Sequence, residues 1–129
     1  MEIRLEGLDH VALIVREQAR SITWYRDVLG FEQVHADAWG TTPAMLVAPD
    51  SRTGVALFQA KDPAASRATP GSIAVAHVAF RTSREAFAVA QTALSKAGIT
   101  FRLEDHEVSQ SIYFADPDGH QLEITTYEV

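Results

Sequence analysis

Two four-residue strings constrain this chain more than anything else in it: His10-Val11-Ala12-Leu13 and His77-Val78-Ala79-Phe80. Each opens the same order of segments, so the chain reads as a tandem repeat, the pattern to be weighed before any single element. A strand is expected over Gly7 to Val15, with Val11, Leu13 and Val15 on one face and Leu8, His10 and Ala12 on the other. A helix follows from about Glu17 to Leu29, where Ala19, Ile22, Tyr25 and Leu29 fall at three- and four-residue spacings and Gly30 stands at a left-handed C-cap position. Strand-like segments then run over Phe31 to His35, Ala44 to Val47 and Val55 to Ala60. In the second half a strand is expected over Ile73 to Arg81. A helix from about Arg84 to Ala97 follows, with Phe87, Ala90, Ala93 or Leu94, and Ala97 in register and Gly98 closing it. Ile99 to Leu103 and a hairpin complete that half. Both halves read β-α-β-β-β: module one over about 5–60, a Pro-, Gly- and small-residue linker over 61–72, and module two over about 73–128, all within one domain.

The hairpin is the most explicit local signal. Asp116-Pro117-Asp118-Gly119 has the chemistry of a type I turn, with Asp bonding back to the backbone, Pro fixing φ and Gly closing the turn. Ser111 to Phe114 and Gln121 to Thr126 flank it as strands. Ile112, Phe114, Leu122 and Ile124 alternate onto one face, which leaves Ser111, Tyr113 and Glu123 on the other.

Composition removes several classes of function. A net charge of -6, with scattered basic residues, argues against nucleic acid, whose phosphates demand clustered Lys and Arg. No apolar run approaches the roughly 20 residues that span a bilayer, so no membrane partner is expected. Met1-Glu2-Ile3-Arg4 lacks the layout of a signal peptide. The absence of cysteine excludes disulfides and any thiolate ligand or nucleophile. A cytoplasmic protein is the default expectation.

Strand alternation sorts the remaining polar residues. His10 and His77 sit opposite the apolar face of the first strand in each half, and Glu123 sits opposite Leu122 and Ile124 in the last. If the two modules build one curved sheet with helices outside, His10, His77, Glu123 and Tyr113 line its concave side. Two imidazoles and a carboxylate with open positions form the facial triad suited to Fe(II) and other divalent ions.

Four stretches resemble the vicinal oxygen chelate superfamily, which includes glyoxalases, extradiol dioxygenases, fosfomycin-resistance enzymes and bleomycin-binding proteins. They are Leu8-Asp9-His10-Val11-Ala12, Trp24 to Phe31, Ala76-His77-Val78-Ala79-Phe80 and Tyr113 to Glu123. The resemblance covers Leu8 to Tyr127. It implies an α+β fold of two βαβββ modules forming a cupped eight-stranded mixed sheet, with His10, His77 and Glu123 as metal ligands. The implied cofactor is a divalent metal ion, Fe(II) or Mn(II) first and Zn or Ni as alternatives. The implied partners are a small-molecule substrate and a second copy in a homodimer.

Within the superfamily, Tyr113 lies ten residues before Glu123, as a tyrosine does in extradiol dioxygenases, and Asp105-His106-Glu107-Val108-Ser109 resembles one-domain catechol 2,3-dioxygenase-like proteins. That resemblance implies catalytic roles for Tyr113, hydrogen-bonding the substrate, and for His106, moving a proton. Glyoxalase-type sites draw a further ligand from the last strand of module one, where counting from Gly54 as a turn glycine reaches Phe58, with Gln59 the nearest polar residue. Fosfomycin-type thiol transferases carry a threonine where this chain has Ala12. The expectation is an extradiol dioxygenase-like oxidoreductase acting on a catechol-like substrate. A glyoxalase-type lyase or isomerase and a non-catalytic bleomycin-resistance-like binding protein are the alternatives.

Overall fold

The computed structural model describes residues 2–129, which divide into two compact units, one running to Ala64 and one from Ala65 to Val129. In the first unit β1 (His10–Val15), α1 (Gln18–Leu29), β2 (Glu32–Val34), α2 (Ala36–Trp39), β3 (Ala44–Val47) and β4 (Gly54–Gln59) follow one another. The strands form a four-stranded mixed sheet in the order β1-β4-β3-β2, with β1 parallel to β4 and the other pairs antiparallel. Leu13, Val15, Leu46, Val55 and Leu57 are buried, as is Tyr25 on α1, whose ring lies 6.0 Å from that of Phe31. Gly30 takes the left-handed conformation at φ 71°, and its N–H bonds the Arg26 carbonyl, so α1 stops where the glycine predicts.

The N-terminus of α1 has no side-chain cap from its own N-cap residue, Glu17. Residues distant in sequence supply the acceptors and donors instead. The Gln18 backbone N–H donates to Gln59 Oε1 at 2.9 Å, and Gln59 Nε2 returns a bond to the Arg16 carbonyl at 2.7 Å. Gln18 Nε2 donates to the Leu57 carbonyl at 2.8 Å. Gln59 is thus a helix anchor that ties β4 to α1, a role that spacing along the chain does not reveal.

The second unit repeats the order: β5 (Val78–Arg81), α3 (Arg84–Lys96), β6 (Arg102–Asp105), β7 (Gln110–Ala115) and β8 (Gln121–Thr126). Its sheet runs β5-β8-β7-β6, with β5 parallel to β8. Ser83 caps α3 by accepting from the Ala86 N–H at 3.1 Å. Phe87 and Leu94 are buried on α3, and Val78, Ile112, Phe114 and Leu122 are buried in the sheet. The turn between β7 and β8 closes as its letters predict. Asp116 Oδ1 accepts from the Asp118 and His120 backbone N–H groups at 3.0 and 2.9 Å, and Gly119 N–H bonds the Asp116 carbonyl.

Each half is therefore βαβββ, and the α+β class holds. Three details differ from the sequence expectation. The strand expected over Ile99 to Leu103 forms at Arg102–Asp105 as β6, where Tyr113 to Gln110 of β7 offer its partners. The first strand of each half is shorter, beginning at His10 and Val78 rather than at Gly7 and Ile73, because pairing starts only where β4 and β8 offer partners, at Gly54 and Leu122. A single helical turn, α2, also lies between the segments expected over Phe31 to His35 and Ala44 to Val47, where no element is expected from the sequence; His35 at φ 61° starts it and packs its ring 4.8 Å from that of Trp39.

Candidate metal and proton-transfer site

The register of the second sheet assembles a polar face. Arg102, Tyr113, Glu123 and Ala79 stand in one row across β6, β7, β8 and β5, and Glu104, Ser111, Thr125 and Arg81 form the next row on the same side. Side chains alternate along each strand, so this face is the one opposite Ile112, Phe114, Leu122 and Ile124. His77 precedes β5 by one residue and joins it. Its Nε2 lies 3.1 Å from Glu123 Oε1.

Glu123 is the centre of this face. It is only 7% exposed, and a carboxylate buried to that degree needs donors or positive charge on its oxygens. One oxygen meets His77. The other, Oε2, accepts from the Ser111 hydroxyl at 2.7 Å, a charge-assisted bond of short length. Ser111 is fully buried, and its Oγ also lies 2.9 Å from Thr125 Oγ1, which in turn reaches the Gln110 carbonyl at 3.2 Å. Ser111 is the participant that sequence reasoning passed over. Its alternation with Tyr113 placed it on this face, but a lone strand serine carries no signal of its partner until the register is known.

Tyr113 is directly opposite Glu123 in the β7–β8 ladder. Desolvation by the surrounding residues pushes its phenol above the ordinary value of 10.0, and the negative charge of Glu123 adds to the effect, with a smaller push from Glu104 and an opposing pull from Ser111. The phenol is accordingly protonated throughout the neutral range. His106 Nε2 lies 3.0 Å from the phenol oxygen. A phenol oxygen can accept from His106 Nε2–H while its one proton stays available to donate elsewhere. The His77 and His106 rings both meet the Tyr113 ring edge-on, with centroids 5.9 and 6.2 Å away, and the Arg102 guanidinium lies 4.8 Å from its centroid. The four-residue connection from β6 to β7 holds His106 in place. Its backbone N–H bonds the Ser109 carbonyl, Glu107 adopts φ 71°, and Asp105 Oδ1 accepts from the Glu107 N–H at 2.8 Å.

His10 belongs to the first unit, at the start of β1, where Asp9 Oδ2 lies 2.7 Å from its Nδ1. With Nδ1 occupied, Nε2 is the nitrogen left to bind an ion, the arrangement that orients metal-binding imidazoles. Its face of the first sheet carries a buried apolar cluster of Met45, Val47 and Ala56 with Val34 against it, and Glu32 stands in the same row as His10 across β4 and β3. Among the described residues, no three His, Asp or Glu side chains gather into a metal centre. The donors on His10, His77 and Glu123 are those a divalent cation takes, borderline imidazole nitrogen and carboxylate oxygen.

The first-unit counterpart of Glu123 is not Phe58. Glu123 pairs with Ala79, two residues after His77; two residues after His10 is Ala12, whose partner is Ala56. Gly54 is a strand residue rather than a turn residue, so counting from it misplaces the position by two. Neither Ala56 nor Phe58 carries a ligand atom. Of the other histidines, His35 starts α2, and His120 Nδ1 lies 2.6 Å from Arg67 Nη1, which fastens the linker to the hairpin turn. Arg81 packs its guanidinium 5.0 Å from the centre of the Tyr127 ring.

Residues 7–124 match the family model described as the Glyoxalase/Bleomycin resistance protein/Dioxygenase superfamily, and the chain belongs to that family. A glutathione transferase, FosA, of Serratia marcescens is 32% identical over 93% of this chain and 80% of its own length. A biphenyl-2,3-diol 1,2-dioxygenase of Rhodococcus globerulus is 31% identical over 91% of this chain, which spans 61% of that enzyme. The crystal structure of a glyoxalase/dioxygenase from Nostoc punctiforme superposes with a TM-score of 0.77 at 25% identity, covering 94% of this chain and 90% of that one. The two named relatives are enzymes with different reactions, so family membership alone leaves the chemistry to the site.

Proposed function

We propose that this chain is a metal-dependent enzyme of the extradiol dioxygenase type, acting on a small catechol-like substrate. The observation that carries the reading is the row in which Tyr113 stands opposite Glu123, with His77 on the carboxylate and His106 on the phenol. His10, His77 and Glu123 hold the ion, with Fe(II) or Mn(II) favoured and Zn or Ni compatible with the same donors. A divalent ion there supplies Lewis-acid stabilisation to vicinal oxygens of the substrate. Tyr113 keeps its proton at neutral pH and donates to a substrate oxygen. His106, in contact with the phenol, takes up or returns a proton during the reaction. The enzyme works as a cytoplasmic homodimer, for which light scattering after gel filtration should give twice the chain mass of 14.1 kDa.

A second reading, thiol transfer, is favoured by the similarity to the Serratia glutathione transferase across most of both chains. Ala12, on the His10 face, stands where fosfomycin-type transferases carry a threonine, and this lowers it. The glyoxalase-type reading is lowered by Ala56, which offers no further ligand. A non-catalytic ligand-binding role would leave the two imidazoles and the carboxylate without a purpose. Protein purified without oxygen and loaded with Fe(II) or Mn(II) should consume oxygen with a catechol from a panel of substituted vicinal diols. Consumption of glutathione with an electrophile, and no oxygen uptake with any catechol, would replace the dioxygenase reading with transfer.

A further inference from the structure

We infer that Ser111 is a positioning residue that holds Oε2 of Glu123, so that Glu123 offers a metal ion Oε1 alone; the inference rests on the metal-dependent reading above. The two carboxylate oxygens are not equivalent. Oε2 takes the Ser111 proton at 2.7 Å, whereas Oε1 faces His77 Nε2 at 3.1 Å. Ser111 is itself fully buried, so its hydroxyl cannot swing away to water. Residues that orient a metal-binding side chain are as consequential as the side chain's own placement. A carboxylate held through one oxygen is a one-oxygen ligand and leaves room on the ion for substrate. Released, it can close on the ion with both oxygens.

The test measures Mn(II) binding by titration calorimetry and the water-proton relaxation rate of the bound Mn(II), for the full chain and for Ser111→Ala and Thr125→Val. Ser111→Ala should weaken Mn(II) binding about 10- to 100-fold and lower the relaxation rate as the freed carboxylate displaces water. Thr125→Val keeps the Ser111–Glu123 bond and should match the native chain in both readouts. If Ser111→Ala loses its circular-dichroism melting transition, Ser111→Cys, of similar volume and with a weaker donor, should show the same two changes in smaller measure. A native chain that binds Mn(II), with a serine variant indistinguishable from it or with Thr125→Val impaired equally, overturns the inference while leaving the metal-dependent reading intact. A native chain that binds no Mn(II) overturns that reading, and the inference with it.

Discussion

At Glu123 three kinds of partner meet one buried carboxylate: an imidazole, an aliphatic hydroxyl and, across the ladder, a phenol. The phenol records this environment. Because the Tyr113 pKa is raised by desolvation and by the Glu123 charge, its ultraviolet phenolate transition should lie above 10.0, and Glu123→Gln should move it down toward that value. The sign for stability follows. Above pH 10 the unfolded chain has lost this proton while the folded chain keeps it, so Tyr113 makes the fold less stable as pH rises through that range. Tyr113→Phe should remove the effect. In the enzyme, Tyr113→Phe should lower turnover about 100-fold or more with metal content unchanged, and loss of metal in that variant would assign the phenol to the ion rather than to the substrate. Sequence alternation placed Tyr113, Glu123 and Ser111 on one face. It could not say that Ser111 Oγ reaches Glu123, because that depends on which residues of β7 and β8 stand opposite each other.

The strands and helices were largely legible, since each obeys a local rule. The apolar spacing of α1 and α3, the left-handed Gly30, and the Asp-Pro-Asp-Gly turn each fix an element without help from distant residues. Where an element depends on a partner, the sequence was less informative. The strand starts at His10 and Val78 are set by β4 and β8, and the cap of α1 is Gln59, far along the chain. Gly54 is the clearest case: a Cβ there would run into the Leu46 carbonyl of the adjacent strand, so the glycine serves a close approach of β3 to β4 and not a turn. Gly54→Ala should therefore cost on the order of 3 kcal/mol or more in a denaturant melt. Gly30→Ala meets no neighbouring atom and should cost only the left-handed backbone term, about 1–2 kcal/mol. Equal losses at the two glycines would contradict the close-approach account.

Over the whole chain, two βαβββ units built to one plan present different faces. On the side that carries the leading histidine, the first sheet buries Met45, Val47 and Ala56, whereas the second gathers His77, Glu123, Tyr113, Ser111 and Arg102. The repeat explains the fold, and the departure from repeat symmetry explains why the candidate chemistry is read from the second half. The central claim is that His10, His77 and Glu123 hold one divalent ion, and it is tested by metal content. Protein purified without oxygen or added metal, alongside Glu123→Ala, should be measured by mass spectrometry and again after reconstitution. The account predicts about one Fe or Mn per chain, the stoichiometry of a facial triad, lost in the variant. A native chain that takes up no ion after reconstitution with Fe, Mn, Zn or Ni would contradict it.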